Sequence, residues 1–453
     1  MSVLSEQTPQ LAQAPQPGEA PYLGRDPQLG QASQPGEDRQ LAAVLDAELR
    51  RRGSQLHLLA GENFSAPAVR AVLAGPLGDK YAEGYPGHRH HTGCEHADEV
   101  ELLAVERAKA LFGAAHANVQ PHSGTSAVLA AYAALLRPGD AVLAMSLRHG
   151  GHLTHGSGAN FSGRWFEFTG YGVRERDGLV DLDQVRDLAR AVRPKAILAG
   201  SISYPRALDW AAFRAIADEV GAYLVADAAQ TIGLVAGGVL ESPVPYADVV
   251  CGVTHKLLGG PRGGLLLCTA ELADRIDRAV FPFTQGGPAM NQIAAKALVL
   301  RLAAGPAYAD YARRAVANAQ ALAAGLAGEG LRPLTGGTDT HLVTADARPL
   351  RLTGREAEQR CEAAGVLLGR SAVPFDEAPP ASAAGVRLGT ACVTTQGMGQ
   401  AEMDEVAALV GRALRAPDPD GARSVAADVR ALLERFPVDS PVGNASKSED
   451  SSL

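Results

Sequence analysis

CGVTHKLLGGPRGGLLLC, residues 251–268, places one lysine, Lys256, between an apolar run and a glycine-rich turn that leads into a second apolar run. Apolar surroundings lower the pKa of a lysine because they disfavour its ammonium form. A neutral amine can form a Schiff base with a carbonyl cofactor such as pyridoxal phosphate. Lys256 is therefore a candidate cofactor lysine, although an exposed lysine in a βαβ loop fits the same pattern.

Asp227 lies near the end of another apolar run, AYLVADAA, residues 222–229. That position predicts a carboxylate at the carboxyl end of a central strand, where open α/β sheets bind their ligands. A buried carboxylate needs a cationic partner, and a protonated pyridine nitrogen is one. The alternative is an aspartate that caps the N-terminus of a helix.

The segment PHSGTSA, residues 121–127, precedes an apolar helical pattern. Small hydroxyl residues and glycine at a helix N-terminus form an anion site, and the size of this one suits a phosphate. An ordinary capping turn has the same composition. The order of phosphate turn, strand-end aspartate and strand-end lysine is more specific than any one of them.

Short apolar runs alternate with amphipathic stretches through most of the chain, for example KAILAG (195–200) before WAAFRAIADEVG (210–221). Buried strands separated by helices predict an α/β fold with a mostly parallel sheet covered on both faces. From about Leu331 the pattern changes to that of a smaller α+β domain. The predicted divisions are disordered tails at 1–38 and 439–453, an N-terminal arm and helix at 39–75, a large domain at 76–326 and a small C-terminal domain at 327–438.

Composition excludes several classes of protein. The 453 residues are 46% hydrophobic and 20% charged, and the net charge is −8. A nucleic-acid-binding protein would need a basic face, and the sequence has no Lys/Arg-rich run. A membrane span would need about 18 uncharged apolar residues in a row, and no run in the sequence is that long. The five cysteines are far apart and form no CxxC pair, which indicates reduced thiols and a cytoplasmic location.

Two histidine-rich stretches allow a metal-binding alternative. HRHH covers residues 88–91, and RHGGHLTHG supplies His149, His152 and His155. Histidines three residues apart could bind zinc if they lay on a helix. The glycine pair favours a loop instead, so we expect no metal, and one imidazole could stack on a cofactor ring.

At these residues the chain resembles serine hydroxymethyltransferases, from about Leu41 to Val438. The motifs that carry the resemblance include AGENFSAPAV (60–69), KYAEGYPGHR (80–89), HGGHLTHG (149–156), QGGP (285–288) and VRLGT (386–390). The resemblance implies the aspartate-aminotransferase fold, which is pyridoxal-phosphate fold type I. Its large domain would have a seven-stranded-type, mostly parallel sheet covered by helices, followed by the smaller α+β domain.

The resemblance also implies how the cofactor is held. Lys256 would form the Schiff base, with His255 beside it. Asp227 would pair with the pyridine nitrogen, and His152 would stack on the ring. The residues implied to bind the cofactor, the last two from a second subunit, are Ser123, Gly124, Thr125, His152, Asp227, Gln230, His255, Lys256, Gly286 and Gly287.

The substrate side follows in the same way. Arg387 would clamp the substrate carboxylate, and Glu83, or its neighbour His91, would exchange a proton with the substrate hydroxyl. Tyr81 would reach the neighbouring active site, so we expect a homodimer or a dimer of dimers. The implied catalytic residues are Lys256, Glu83, His152, Asp227, Tyr81, His255, Arg387 and His91.

The chain departs from the family at several positions in these motifs. It has Gly61 for serine, His90 and His91 for paired tyrosines, Thr92 for glycine, Ile202 for serine, Gln230 for histidine, Val253 for threonine and Ser371 for a folate-contacting asparagine. Residues needed for chemistry at Cα are kept, whereas the aldehyde and folate side is changed. We therefore expect tetrahydrofolate not to be used.

These features predict aldol cleavage and transfer on a β-hydroxy-α-amino acid through a glycine quinonoid. The expected activity is that of an L-threonine transaldolase acting on amino-acid and aldehyde substrates. An Ala-rich chain with more Arg than Lys is compatible with a high-GC bacterium and with specialised metabolism such as antibiotic biosynthesis. The alternatives are a folate-dependent serine hydroxymethyltransferase, a catalytically silent cofactor-binding paralogue with a partner or regulatory role, and the histidine-rich metal protein.

Overall fold

The computed structural model describes residues 38–376, 382–416 and 418–438. Both predicted disordered tails lie outside these residues, apart from Asp38. Residues 52–438 belong to one compact unit, and residues 38–51 belong to another, of which the described part is largely helical. The division of the larger unit into a large and a small domain stays a prediction.

The helices of the described part are α1 (Arg39–Ser54), α2 (Pro67–Leu73), α3 (Glu95–Phe112), α4 (Gly124–Leu135), α5 (Ser162–Trp165), α6 (Leu182–Val192), α7 (Trp210–Val220), α8 (Ile232–Ala236), α9 (Ala273–Arg278), α10 (Met290–Ala303), α11 (Pro306–Gly328), α12 (Gly354–Ala363), α13 (Ala391–Thr395), α14 (Gln400–Arg415) and α15 (Pro419–Arg435). Side-chain caps fix several of their starts. Asp181 accepts a hydrogen bond from the Gln184 amide at the start of α6, and Thr353 forms a capping box with Glu356 at the start of α12.

The strands are β1 (Leu56–His57), β2 (Gly84–Tyr85), β3 (His88–Arg89), β4 (His116–Asn118), β5 (Ala141–Met145), β6 (Glu167–Tyr171), β7 (Ala196–Gly200), β8 (Tyr223–Asp227), β9 (Val249–Val253), β10 (Gly264–Cys268), β11 (Arg332–Pro333), β12 (Leu342–Asp346), β13 (Val366–Leu367), β14 (Gly369–Ser371) and β15 (Gly385–Gly389). Seven of them form one sheet in the order β4-β10-β9-β8-β7-β5-β6. The pairs from β9 to β6 are parallel, and β10 is antiparallel to both of its neighbours.

Both faces of this sheet are buried, which explains why its central strands are uniformly apolar. Along β7, Ile197 and Ala199 belong to the cluster of apolar residues that includes α3, α6, α7 and α10. Leu198, between them, belongs to the cluster on the other side, whose helical residues come mostly from α4. Alternate side chains of a strand point to opposite faces, so each face needs its own apolar set. The predicted mostly parallel, doubly covered sheet is confirmed.

The edge strand β6 was not predicted from the sequence. Its segment EFTGY is half-exposed and polar, because β5 is its neighbour on one side and it ends the sheet on the other. A second sheet, in the order β11-β12-β15-β14, packs with α11, α12, α14 and α15 around another apolar cluster. The strand β15 of this second sheet carries Arg387.

Candidate active site

The carboxyl ends of the parallel strands border a cavity of about 290 Å³. Strands β8 and β9, together with α4, bring most of the predicted cofactor residues to its walls. The predicted site residues that line it are Ser123, Gly124, Thr125, His152, Asp227, Gln230, His255, Lys256 and Arg387. They come from parts of the chain up to 264 residues apart, and the sheet topology brings them together.

Lys256 follows β9 by three residues, where the chain turns before it returns as the antiparallel β10. The side chain is half-buried and lines the cavity, unlike the exposed loop lysine of the alternative interpretation. Burial lowers the pKa of Lys256 to about 8, although the carboxylate of Asp227 acts in the opposite direction. A substantial fraction of the amine is therefore neutral near physiological pH.

Asp227 is the last residue of β8 and is buried. The next helix, α8, begins at Ile232 with Thr231 as its N-cap, so the alternative that Asp227 caps a helix is wrong. Burial alone would raise the pKa of Asp227, but hydrogen bonds from His155 Nε2 at 3.0 Å and from the Ala229 amide at 2.9 Å lower it to about 2. Asp227 is thus a fixed anion on the cavity wall.

His155 is a residue that the sequence prediction missed. It is buried, and its Nδ1 lies 3.3 Å from both the Tyr132 hydroxyl and Thr154 Oγ1. These contacts hold the ring so that Nε2 faces Asp227. The signal in the sequence was the third histidine of HGGHLTHG, but its partner is 72 residues away in the chain.

The turn before α4 has the geometry of an anion site. Ser123 is the N-cap, and its hydroxyl oxygen accepts a hydrogen bond from the Ser126 amide at 3.1 Å. A Cβ on Gly124 would lie only 2.6 Å from Val253 Cγ1, so glycine is needed for the turn to pack against β9. The helix begins at the cavity, where its N-terminus favours a negative charge. The turn is therefore both a helix cap and a candidate phosphate site.

The remaining walls suit a ring with polar substituents. Burial lowers the pKa of His152 and that of His255 to about 4, so both imidazoles are neutral. Two buried atoms of this wall, His255 Nδ1 and Gln230 Oε1, have no hydrogen-bond partner among the described residues. A ligand that carries polar groups and a phosphate would satisfy such a cavity, and pyridoxal phosphate has both.

Arg387 reaches the cavity from the second sheet. Its Nη1 donates to the Ile202 carbonyl oxygen at 2.8 Å, and Gln230 Nε2 approaches the same oxygen at 3.4 Å. Burial lowers the pKa of Arg387 from its usual value. In the described part of the chain no carboxylate forms an ion pair with Arg387. The guanidinium is therefore able to donate hydrogen bonds to the carboxylate of a ligand.

The other predicted residues form a separate cluster, which we call the Tyr81 cluster: Tyr81, Glu83, His91, Gly286 and Gly287. Glu83 accepts a hydrogen bond from the Tyr81 hydroxyl at 2.9 Å, and its other oxygen lies 3.3 Å from His91 Nε2. A Cβ on Gly286 would lie 3.3 Å from Glu83, and one on Gly287 would lie 3.0 Å from Tyr81. None of the five lines the 290 Å³ cavity.

The departures from the family divide between the same two regions. Gly61, Ile202, Gln230 and Val253 line the cavity, whereas His90, His91, Thr92 and Ser371 do not. His90 packs its ring 5.5 Å from that of Phe281, and Ser371 is a buried residue of β14. Of the changed positions, only the first four therefore lie at this cavity of the chain.

The metal-binding alternative gains no support from the geometry. Over the described ranges, no group of three or more His, Cys, Asp or Glu side chains is placed to hold a metal ion. His149 ends a short 3₁₀ turn, and the glycine pair that follows it takes the chain into a loop instead of a helix. All five cysteines are buried free thiols. We also find that no helix in the described residues is long and apolar enough to cross a membrane.

Comparison with known families agrees with the fold. The family model for serine hydroxymethyltransferase matches residues 35–410, which is most of the chain. The matched region includes both the cavity residues and the Tyr81 cluster. Members of this family are pyridoxal-phosphate-dependent transferases of fold type I, to which the mostly parallel seven-stranded sheet corresponds. The chain belongs to the serine hydroxymethyltransferase family.

Proposed function

We propose that this protein catalyses Cα–Cβ aldol cleavage and transfer as a folate-independent L-threonine transaldolase. Threonine and an acceptor aldehyde would give acetaldehyde and a new β-hydroxy-α-amino acid. The observation that carries the proposal is the lining of one cavity. Lys256, Asp227 and Arg387 lie there beside Ile202 and Gln230, which replace the serine and histidine that the resemblance leads us to expect.

Pyridoxal phosphate, when bound, supplies a carbonyl for an amine and an electron sink for the bond that breaks at Cα. With a pKa of about 8, Lys256 is neutral in about a tenth of molecules at pH 7 and can attack that carbonyl. Asp227, ionised at neutral pH, would hold a proton on the pyridine nitrogen. The neutral His152 would lie against the ring without placing a second positive charge there.

Arg387 would orient the amino acid. A guanidinium offers two parallel N–H groups to a carboxylate, and the hydrogen bond to the Ile202 carbonyl leaves other N–H groups for that purpose. Ile202 and Gln230 flank this position, so their side chains would shape the space around Cβ and the departing aldehyde. Once Arg387 fixes the substrate carboxylate, the Cα–Cβ bond of the substrate would point towards the wall formed by Ile202 and Gln230.

Glu83 would carry the proton between the two half-reactions. Its carboxylate would take the proton from the β-hydroxyl of threonine as the Cα–Cβ bond breaks and acetaldehyde leaves. The electron pair left on Cα would then form a bond to the carbonyl carbon of the second aldehyde. Glu83 would return its proton to the new alkoxide, so no oxidant or reductant is consumed. His91, 3.3 Å from Glu83, would hold the carboxylate in place.

The separation of the Tyr81 cluster from the cavity favours a homodimer in which each subunit completes the site of the other. Members of the family are generally dimers or tetramers. Tyr81 is 57% exposed, and a side chain that exposed is available to a second copy of the chain. In such a dimer, Gly286 and Gly287 of one subunit would meet the phosphate bound at Ser123–Thr125 of the other.

The first experiment is to measure acetaldehyde release from L-threonine by the cofactor-loaded protein without folate, with and without a panel of bulky aldehydes. We expect release that a second aldehyde accelerates. The Lys256→Ala variant is the matched control for release that does not depend on the enzyme. Release of no acetaldehyde, with serine consumed only when tetrahydrofolate is added, would instead identify a folate-dependent hydroxymethyltransferase.

A second experiment tests the role of the changed positions. Restoring tyrosine at 90 and 91 and asparagine at 371 should raise folate-dependent serine turnover if these residues suppress folate use. The same positions lie outside the single-chain cavity, so their effect would require the assembled dimer. The absence of any gain would mean that the basis of specificity lies elsewhere, as at the altered cavity positions Gly61, Ile202, Gln230 and Val253, or that specificity is unchanged.

A further inference from the structure

Lys296 is a buried lysine that the proposed reaction does not use. It lies on α10 with 1% of its surface exposed. Its Nζ donates to three backbone carbonyl oxygens: Val119 at 2.6 Å, Gly264 at 2.8 Å and Pro121 at 3.1 Å. A lysine is almost never buried to this extent without partners, and here each partner is a main-chain oxygen.

The contacts of Lys296 favour its charged form. Three carbonyl acceptors need three N–H donors, which the ammonium group has and the neutral amine lacks. Burial lowers the pKa of Lys296 to about 7, and the negative charge of the buried Glu101 works against that shift. Glu101 itself accepts hydrogen bonds from Arg89 and Gln120, so it is not free to neutralise Lys296 by direct contact.

Two glycines bring Lys296 up to the back of the cavity wall. A Cβ on Gly263 would lie 2.3 Å from Lys296 Cε, and Gly263 lines the cavity. A Cβ on Gly264 would lie 2.3 Å from the carbonyl oxygen of Ser123, the residue that caps α4. The GG pair of GPRGG therefore allows the chain at the start of β10 to approach both Lys296 and the phosphate turn closely.

Two of the three carbonyl groups that Lys296 binds belong to the segment that leads into the phosphate turn. Val119 and Pro121 stand four and two residues before Ser123. Gln285 Nε2 holds the carbonyl of the residue between them, Gln120, at 3.0 Å. The Gly264 amide adds a bond to Pro121 at 2.9 Å. The path of the backbone into the anion site is thus fixed by one ammonium group and its neighbours.

We propose that Lys296 is a positioning residue for the phosphate turn, and that its buried positive charge strengthens the binding of a phosphate dianion at Ser123–Thr125. This inference rests on the proposed pyridoxal phosphate site. Lys296 contacts neither cofactor nor substrate and acts through the backbone of residues 119–121. Lys296 therefore strengthens the binding of the cofactor's phosphate group and does not affect the binding of its ring.

The test compares two ligands that differ only in the phosphate, pyridoxal phosphate and pyridoxal, titrated into the cofactor-free full-length protein. In Lys296→Met the affinity advantage of the phosphorylated ligand should fall at least about tenfold, as expected when hydrogen bonds to a charged group are lost. The Kd for pyridoxal should change less than about threefold. Arg301→Met removes an exposed cation from the same helix and should leave the advantage unchanged.

Lys296→Gln keeps N–H donors for the carbonyl groups without the charge, so it tests the same point if the methionine variant does not fold. An unchanged ratio of the two Kd values in a folded Lys296 variant would overturn the proposal, even if that variant melted at a lower temperature. A wild-type protein that bound neither ligand would contradict the proposed cofactor and the inference with it. If the wild-type protein binds both ligands and the Lys296 variants show a smaller affinity advantage for pyridoxal phosphate, the result supports the role of Lys296.

Discussion

The Lys256 cavity and the Tyr81 cluster differ in how complete they are within one chain. In the cavity, Asp227 is buried against His155, and burial shifts the pKa of Lys256, His152 and His255. In the Tyr81 cluster, by contrast, 41% of the His91 side chain and 26% of the Glu83 side chain are exposed. Folding of one chain buries the charged groups of the cavity, whereas the Tyr81 cluster retains surface that a second molecule can cover.

This difference separates two kinds of catalytic residue. Groups that hold a cofactor for many turnovers gain from burial, since a low-dielectric site strengthens fixed charges and shifts pKa values. Groups that exchange protons with a substrate must remain accessible until it binds. Variants in the two regions should therefore fail in different ways, and that contrast can be tested.

The largest expected effect is that of Lys256→Ala in the cavity. Loss of the amine should abolish the Schiff-base absorbance of the cofactor and lower turnover by ~10³-fold or more, as removal of an essential nucleophile does. Absorbance spectra and acetaldehyde release measure the two. Lys195→Ala, at an exposed lysine, is the matched control. A surviving Schiff-base band in the Lys256 variant would refute the assignment.

Glu83→Gln in the Tyr81 cluster should give the opposite pattern. Its Schiff-base absorbance should persist, while turnover falls by ~10²-fold because general acid–base catalysis is lost. Mixing refolded Glu83→Gln and Lys256→Ala chains should then restore about a quarter of wild-type activity, since half of the random dimers would contain one intact site. Mixtures as inactive as their components would mean that the two regions act within one chain.

His155→Phe should have a smaller effect, of about tenfold. Without the imidazole the pKa of Asp227 rises, because the hydrogen bond and charge that oppose its burial are gone. The measurement is the exchange of the glycine α-proton with solvent, which would depend on the ring nitrogen that we propose Asp227 to pair with. His96→Phe, at an exposed histidine of α3, provides the control. Equal exchange rates in the two variants would show that His155 does not influence the reaction through Asp227.

The smallest expected effect is the pH dependence of cofactor capture by the cofactor-free protein. Only the neutral amine attacks, so the rate should rise about fivefold from pH 7 to 8 and less than about twofold from pH 8 to 9, if the pKa of Lys256 is about 8. A lysine with its usual pKa would give about a tenfold rise per pH unit throughout. Stopped-flow absorbance measures the rate. A tenfold rise per pH unit would show that burial does not lower the pKa of Lys256.

Much of the fold was predictable because the central strands are buried on both faces and therefore uniformly apolar. The predicted helical segment WAAFRAIADEVG (210–221) coincides with α7, since its apolar residues recur at helical spacing and Asp209 caps its start. The edge strand β6 was missed because half-exposed residues need no apolar pattern. For the site, residue types at strand ends and at a helix start identified Lys256, Asp227 and Ser123.

The pairing of these residues could not be predicted in the same way. The hydrogen bond between His155 and Asp227 joins positions 72 residues apart, and the contacts of Lys296 join positions up to 177 apart. Neither spacing follows a helix or strand period. Likewise, the resemblance assigned Tyr81, Gly286 and Gly287 to the site of a neighbouring subunit, but only the folded chain shows that they lie together with Glu83 and His91.

Local pattern and the residue types within short motifs are enough to predict the α/β class, the family and the candidate cofactor lysine. Which of those residues share a cavity, which altered positions face it and which buried groups support them became clear only in the folded chain. Burial and hydrogen-bond partners depend on the packing of strands and helices that are far apart in the sequence. Two glycines, Gly263 and Gly264, allow one such approach, but what they make room for is visible only after folding.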